Sequence, residues 1–217
     1  MCRLLCIRGR EPFEIKSHLE TFAAIARDSR EYQGHGWGCA WLTDAGFAQY
    51  HNIKPVWEDD KRDFGATRLF LAHARSAFKD EGICVENNMP FGDDECVFIF
   101  NGELRGVRIK EEGRIGAEKI FNYIKRFDKG NTLDALERAL GVIKKRTRYI
   151  RALNLIMASR DWVFAASNFG EDPDYFQMHT ADQNGLAIIC SEAYPDEPNW
   201  RRFDNHTIRA FRMEESR

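Results

Sequence analysis

Cys2 is the strongest candidate for covalent chemistry, because it directly follows the initiator methionine. Removal of that methionine would leave a thiol and a free α-amine on one residue. An α-amine has an ordinary pKa of about 7.7 to 8.0, so it can take the thiol proton near neutral pH. The thiolate could then attack a carbonyl carbon and form an acyl intermediate. The alternative interpretation is a structural cysteine in a buried strand.

Arg75 ends the strand-like run LFLAHAR, two residues after His73. A fixed guanidinium can hold a carboxylate through two parallel hydrogen bonds, so Arg75 could position an amino-acid substrate at a sheet edge. A solvated arginine or a structural ion pair is the alternative.

A third candidate is FNGE, from Phe100 to Glu103, which follows the run CVFIF. Taken locally, Asn101-Gly102 is a common hairpin-turn signal. The same pair also suits an oxyanion hole, in which the asparagine amide and the glycine N–H converge on one oxygen. Losing one such donor typically costs about 2.7 to 4 kcal/mol of transition-state stabilisation.

Gly34, His35 and Gly36 open a further strand-like run and could permit close approach of the backbone to a ligand. No phosphate-binding glycine spacing follows them. A Cys2–His35 pair ranks below the α-amine as the base, because a single histidine in a turn is more often structural.

Composition favours one domain over residues 1–217, since 43% of the residues are hydrophobic and the length supports one sizeable core. A net charge of −2 provides no basic field for nucleic acid or an anionic membrane. The sequence has no long apolar run or signal peptide, so a cytoplasmic location is expected. Six cysteines without a C-x-x-C pair indicate reduced core thiols and argue against a metal site.

Hydrophobic periodicity predicts short strands in both halves of the chain and helices mainly between them. The predicted helices are residues 12–27, 116–127 and 132–146. The predicted strands are residues 2–8, 37–51 with a turn at 44–46, 67–75, 96–103, 152–159, 161–168, 174–180, 185–192 and 206–213. This order favours an α+β domain of two antiparallel sheets covered by helices.

Cys2, GHGWG, HAR, NNMPF and FNGEL, in this order, resemble the class II glutamine amidotransferases, which are N-terminal nucleophile (Ntn) hydrolases. Ser191-Glu192 is most similar to the stand-alone glutamine amidotransferase-like branch, which resembles γ-glutamyl amidohydrolases of thiol metabolism.

The resemblance implies a four-layer αββα sandwich and an N-terminal cysteine amidohydrolase. Such an enzyme cleaves the side-chain amide of glutamine or a γ-glutamyl compound through a thioester. The implied catalytic residues are Cys2, Asn101 and Gly102. The implied substrate-binding residues are Arg75, which would clamp the α-carboxylate, with His73, Gly34, His35, Gly36 and Glu103.

The resemblance also implies an aspartate that receives the substrate's ammonium, but Gly116 aligns with its place and Glu118 is the nearest carboxylate. No cofactor is expected. A separate ammonia-accepting synthase and self-association stay open. The alternative function is a binding or regulatory module with reduced catalysis on the same fold.

Overall fold

The computed structural model of the protein describes residues 1–61, 63–195 and 197–213. In chain order, the elements within these ranges are β1 (Arg3–Glu14), α1 (Ile15–Arg27), β2 (Trp37–Thr43), β3 (Gly46–Asn52), β4 (Ala66–Ala74), β5 (Phe91–Gly92), β6 (Cys96–Val107), α2 (Gly116–Phe127), α3 (Thr132–Lys145), β7 (Thr147–Ser159), β8 (Trp162–Ser167), α4 (Pro173–Phe176), β9 (His179–Gln183), β10 (Leu186–Cys190), β11 (Arg201–Arg202) and β12 (Thr207–Arg212).

The strands form two antiparallel sheets, as the sequence predicted. The first sheet has seven strands in the order β11-β9-β10-β1-β4-β2-β3, and the second has five in the order β12-β8-β7-β6-β5. Strand β1 lies inside the first sheet, because it pairs with β10 on one side and β4 on the other. The beginning of the chain is therefore held in the middle of a sheet.

Side chains of β1 and β4 alternate between two layers, which follows from the two-residue period of a strand. Leu5 and Phe70 belong to the cluster that includes α1, whereas Leu4 and Leu71 belong to the cluster shared with the second sheet. Helices α2 and α3 cover the second sheet, and Phe121 of α2 stacks on Phe98 of β6 with ring centroids 5.3 Å apart. The layers thus follow the order helix, sheet, sheet, helix.

Most predicted elements are present, and two differ for local reasons. Strand β1 continues to Glu14, so α1 begins three residues after Pro12. The ladder with β4 shifts register between Arg8 and Phe13, and proline, which has no N–H to donate, fits such an interruption. The predicted strand 174–180 instead begins with the short helix α4, because Pro173 occupies a first-turn position where proline is favoured.

The six cysteines all lie in the described ranges and carry free thiols. Burial raises the pKa of Cys6, Cys96 and Cys190 to about 12, which makes these three thiols unreactive. Cys2 and Cys84 are instead partly exposed. Within the described residues, no helix has both the length and the apolar character needed to cross a membrane.

The packing of α3 predicts unequal costs for two leucines of that helix. Leu136 is fully buried and Leu133 only partly. Leu136→Ala should lower the free energy of unfolding by about 2 to 5 kcal/mol, since it removes buried methyl groups and leaves a cavity. Leu133→Ala should cost clearly less. Urea unfolding of both variants measures the difference, and equal losses would contradict this packing.

Candidate functional site

An open cleft of about 1290 Å³ lies between the start of β1 and the start of α2. Its walls include the loop of residues 75–82, which follows β4, and the part of β6 between Phe100 and Val107. The sequence-predicted residues on these walls are Cys2, Arg75, Gly102 and Glu103. The fold therefore brings together residues from distant parts of the chain.

Cys2 immediately precedes β1 and is partly exposed on the cleft wall. Its thiol accepts a hydrogen bond from the N–H of Ser76 at 3.5 Å and lies 3.7 Å from the carbonyl oxygen of the same residue. Ser76 directly follows Arg75. The nucleophile candidate and the carboxylate-binding candidate are thus connected through one loop.

Ser191 and Glu192 hold the strand that carries Cys2. The N–H of Leu4 donates to Ser191 Oγ at 3.0 Å, and the N–H of Ser191 donates to the Leu4 carbonyl at 2.9 Å. Glu192 pairs with the buried Arg3, with 2.7 Å between Nη2 and Oε2. This sequence pair therefore anchors the start of β1.

Arg75 has an unused donor inside the protein. The side chain is 5% exposed, and Nη2 donates to the Gly82 carbonyl at 2.9 Å. Its other terminal nitrogen, Nη1, is buried without a hydrogen-bond partner. An unpaired buried donor of a charged group is costly, so this nitrogen favours an anion in the cleft.

Gly34, His35 and Gly36 lie behind the loop that carries Arg75 and do not form the cleft wall. The N–H of Ala77 donates to His35 Nδ1 at 2.9 Å, and the Arg75 N–H donates to the Gly36 carbonyl at 2.9 Å. Burial lowers the pKa of His35, so the ring is neutral. Because Nδ1 accepts the hydrogen bond from Ala77, the ring proton is on Nε2. These contacts give His35 a structural role in holding the loop.

Gly36 requires glycine for two reasons. Its φ of +103° lies outside the range ordinary residues adopt, and an added Cβ would stand 2.2 Å from the Asn88 side-chain nitrogen. The close approach of segment 34–36 to the neighbouring loop depends on this glycine.

Asn101 and Gly102 lie inside β6 and do not form a turn. They pair with Asn154 and Leu153 of β7. Asn101 is 1% exposed, and neither its side-chain oxygen nor its nitrogen has a hydrogen-bond partner. A Cβ on Gly102 would lie 2.3 Å from the Ala152 carbonyl oxygen. Strand pairing overrides the local turn preference and leaves one buried amide unsatisfied.

His73 is fully buried in β4 and does not line the cleft. Burial, together with the positive charge of Arg75, lowers the pKa of His73 to about 3. The ring is therefore neutral at physiological pH.

A charged network that the sequence did not reveal lines the cleft next to Cys2. Glu31 pairs with the α-ammonium of Met1 and, at 3.3 Å, with Arg151 Nη2. The Arg151 guanidinium also contacts Asp172 at 2.5 Å and Glu103 at 3.6 Å. Five residues from five different parts of the chain thus share one charge cluster.

Gly116 lines the cleft, whereas Glu118 is paired with Arg114. The Arg114 Nε atom is 3.0 Å from both carboxylate oxygens of Glu118. Glu118 is therefore not available to a ligand without breaking this ion pair.

The described residues that line the cleft carry more positive than negative charge. The cations are Arg75, Lys79, Arg105, Arg114, Lys119 and Arg151, and the anions are Glu31, Glu81 and Glu103. Such a cleft attracts anionic groups from solution. A thiol, an unpaired guanidinium nitrogen and an excess of cations together suit reaction with a carboxylate-bearing acyl compound.

No protein-family model matches the sequence, and no curated protein matches it. Solved structures share the fold. A glutamine aminotransferase class-II domain protein from Silicibacter pomeroyi has a TM-score of 0.67 and 17% identity over 96% of this chain and 94% of its own. A predicted glutamine amidotransferase from Pseudomonas aeruginosa has a TM-score of 0.62 and 15% identity, with 99% and 98% covered.

A further similar structure is the Bacillus subtilis glutamine phosphoribosylpyrophosphate amidotransferase complexed with ADP and GMP, with a TM-score of 0.66 and 12% identity. The alignment covers 98% of this chain but 49% of that one, so the chain spans about half of its length. The expected four-layer αββα fold is confirmed. At these identities the likeness shows the fold alone.

The anchoring contact of Ser191 predicts a stability loss. Ser191→Ala should lower the free energy of unfolding by about 1 to 3 kcal/mol, because it leaves the buried Leu4 N–H without its side-chain acceptor. The control Ser17→Ala, on the exposed face of α1, should change it by less than about 0.5 kcal/mol. Denaturant unfolding measures both, and equal effects would exclude the anchor.

Proposed function

We propose that the protein is a thiol-dependent amidohydrolase that cleaves the side-chain amide of glutamine or of a γ-glutamyl compound. The observation that carries the proposal is the position of Cys2 on the same cleft as the unpaired Nη1 of Arg75. The nucleophile and a binding group for the substrate's α-carboxylate are then held by one loop, through Ser76.

The proposed reaction begins after removal of Met1. The α-amine of Cys2 takes the thiol proton, and the sulfur attacks the amide carbon of the substrate. The Asn101 amide and the Gly102 N–H stabilise the negative oxygen that forms. The amine leaves with a proton, and water then hydrolyses the thioester to free the acid and regenerate the thiol.

Gly102 supports the oxyanion role because it lines the cleft, and Asn101 supports it because its amide is buried and unpaired. A donor held without a partner needs no reorganisation when charge develops on a nearby oxygen. A separate synthase that consumes the released ammonia belongs to the same proposal.

The second candidate is a binding or regulatory module with reduced catalysis. The ion pair between Glu118 and Arg114 favours this function, because Glu118 is the nearest carboxylate to the expected ammonium-binding position and is already paired. Covalent labelling separates this function from the first.

A glutamine-analogue diazo-ketone should form one thioether at Cys2 once Met1 has been removed. Intact mass and peptide mapping measure both events. Cys2→Ala should abolish labelling. The control Cys84→Ala removes the other partly exposed thiol and should leave labelling unchanged. A chain that loses Met1 and still shows no adduct at Cys2 would favour the binding module.

Asn101→Ala should reduce kcat at least about tenfold while KM changes little, since the amide acts on the transition state. The Asn101 amide makes no hydrogen bond. Its removal should therefore not lower the free energy of unfolding by the amount that loss of a buried hydrogen bond costs. Steady-state hydrolysis and urea unfolding measure the two quantities. Asn122→Ala removes a partly exposed amide of α2 that does not line the cleft, and this control should retain kcat. An unchanged kcat in Asn101→Ala would remove the oxyanion role.

A further inference from the structure

Glu31 already binds an α-ammonium group in this structure, that of Met1. Burial raises the pKa of Glu31, but the hydrogen bond and charge of the Met1 ammonium, together with Arg151, outweigh this effect and lower the pKa below its usual value. Glu31 is therefore a carboxylate at neutral pH, only 30% exposed and on the wall next to Cys2.

Glu31 also has contacts that do not involve residue 1, although Gln33, one of its partners, donates to the Met1 carbonyl as well. Its Oε1 lies 3.3 Å from Arg151, and Arg151 is fixed in turn by Asp172 at 2.5 Å. The Glu31 carbonyl accepts a hydrogen bond from Gln33 Nε2 at 2.7 Å, and Gln33 is fully buried. The Glu31 carbonyl and Oε1 thus keep partners when residue 1 leaves, whereas Oε2 loses the ammonium that it binds.

Removal of Met1 shifts the α-amine by one residue, and consecutive Cα atoms are about 3.8 Å apart. Cys2 itself keeps its position, because the contacts of Leu4 with Ser191 hold the strand behind it. Rotation about the side-chain bonds of Glu31 can turn Oε2, the oxygen that pairs with Met1, toward the new position of the amine.

We propose that Glu31 is a positioning residue that holds the α-amine of Cys2 beside its own thiol once Met1 has been removed. This inference rests on the proposed function, in which that amine is the base. The carboxylate fixes the direction of the amine and stabilises the ammonium that forms when the thiol proton is transferred. Nothing in the sequence pattern predicted this role for Glu31.

Several charged and titratable groups surround the terminus. They are Glu31 after α1, His35, His73 and Arg75 around β4, Glu103 on β6, Arg151 on β7, and Asp172 and Tyr175 at α4. Burial lowers the pKa of both histidines and raises that of Tyr175. The side-chain hydrogen bond of Arg151 lowers the pKa of Asp172. The two histidines therefore stay neutral, and Tyr175 stays protonated, where an α-amine titrates.

The sign of the expected pH effect follows from the charge of Glu31. A neighbouring carboxylate favours the protonated amine, so Glu31→Gln should shift the acidic limb of kcat/KM to lower pH, by about half a unit to one unit. The same variant should lower kcat severalfold, because the amine is no longer held. Glu31→Asp keeps the charge and should retain the limb.

The experiment uses chains produced behind a cleavable leader, so that residue 2 is the first residue whatever the variant. Hydrolysis of γ-glutamyl p-nitroanilide is followed as a function of pH. Asp182→Asn is the control, since it removes an exposed carboxylate from Arg201 outside the cleft, and it should leave the limb in place. A Glu31→Gln profile identical to the wild-type profile would overturn the inference.

A second measurement does not need catalysis. The Cys2→Ala chain is labelled with ¹³C-alanine, and its leader is cleaved so that residue 2 is the first residue. NMR then follows the titration of the terminal amine. Adding Glu31→Gln should lower that pKa, and an equal pKa in both chains would overturn the inference. If the wild-type chain hydrolyses no substrate but Glu31→Gln still lowers the pKa of the terminal amine, the proposed hydrolysis is contradicted. The contact between Glu31 and the amine then still stands.

Discussion

The pairing of β1 on both sides is the constraint on which the site depends. An edge strand could shift or fray at its first residue, but β1 lies between β4 and β10, and its ladder begins at Arg3 on one side and Leu5 on the other. The Ser191 hydroxyl also accepts a hydrogen bond from the N–H of Leu4, near the start of this strand. Cys2 is consequently the first residue outside a fixed ladder. Its thiol reaches the cleft from a rigid base, while its backbone nitrogen stays free of strand pairing.

Arg75 and Asn101 are among the buried side chains that have polar atoms without a hydrogen-bond partner. The Arg75 guanidinium has one bonded and one unbonded terminal nitrogen. Asn101 lies in a regular strand pair opposite Asn154, whose amide donates to the Phe176 carbonyl at 2.8 Å. The Asn154 side chain thus makes a hydrogen bond within the fold, whereas the Asn101 side chain makes none. An unsatisfied buried amide costs free energy, and a ligand that completes its hydrogen bonds recovers that cost.

The sequence predicted those parts of the fold that local patterns determine. Helix α3 begins directly after Asn131, a residue type favoured at helix starts, and the Asn131 side chain accepts from the Asp134 N–H at 3.2 Å. The hairpin before β10 has Asn184 and Gly185 at positive φ, which these two residue types adopt more readily than others. Asn101-Gly102 was ambiguous, since a turn signal gives way when a twelve-residue strand finds a partner along its length. Glu31 and Arg151 are 120 residues apart, and nothing local connects them.

The charges of the cleft bear on which acyl compound would be accepted under the proposed function. A substrate with a free α-ammonium needs a carboxylate, but Gly116 provides none and Glu118 is held by Arg114. Glu103 is 9% exposed and paired with Arg105 and Arg151. A substrate ammonium at Glu103 would have to compete with both of these ion pairs. Arg114, Lys119 and Arg105 add positive charge to the same wall. Under the proposed function, the cleft would therefore favour a γ-glutamyl compound with additional negative charge over free glutamine, because the extra anion gains from these cations.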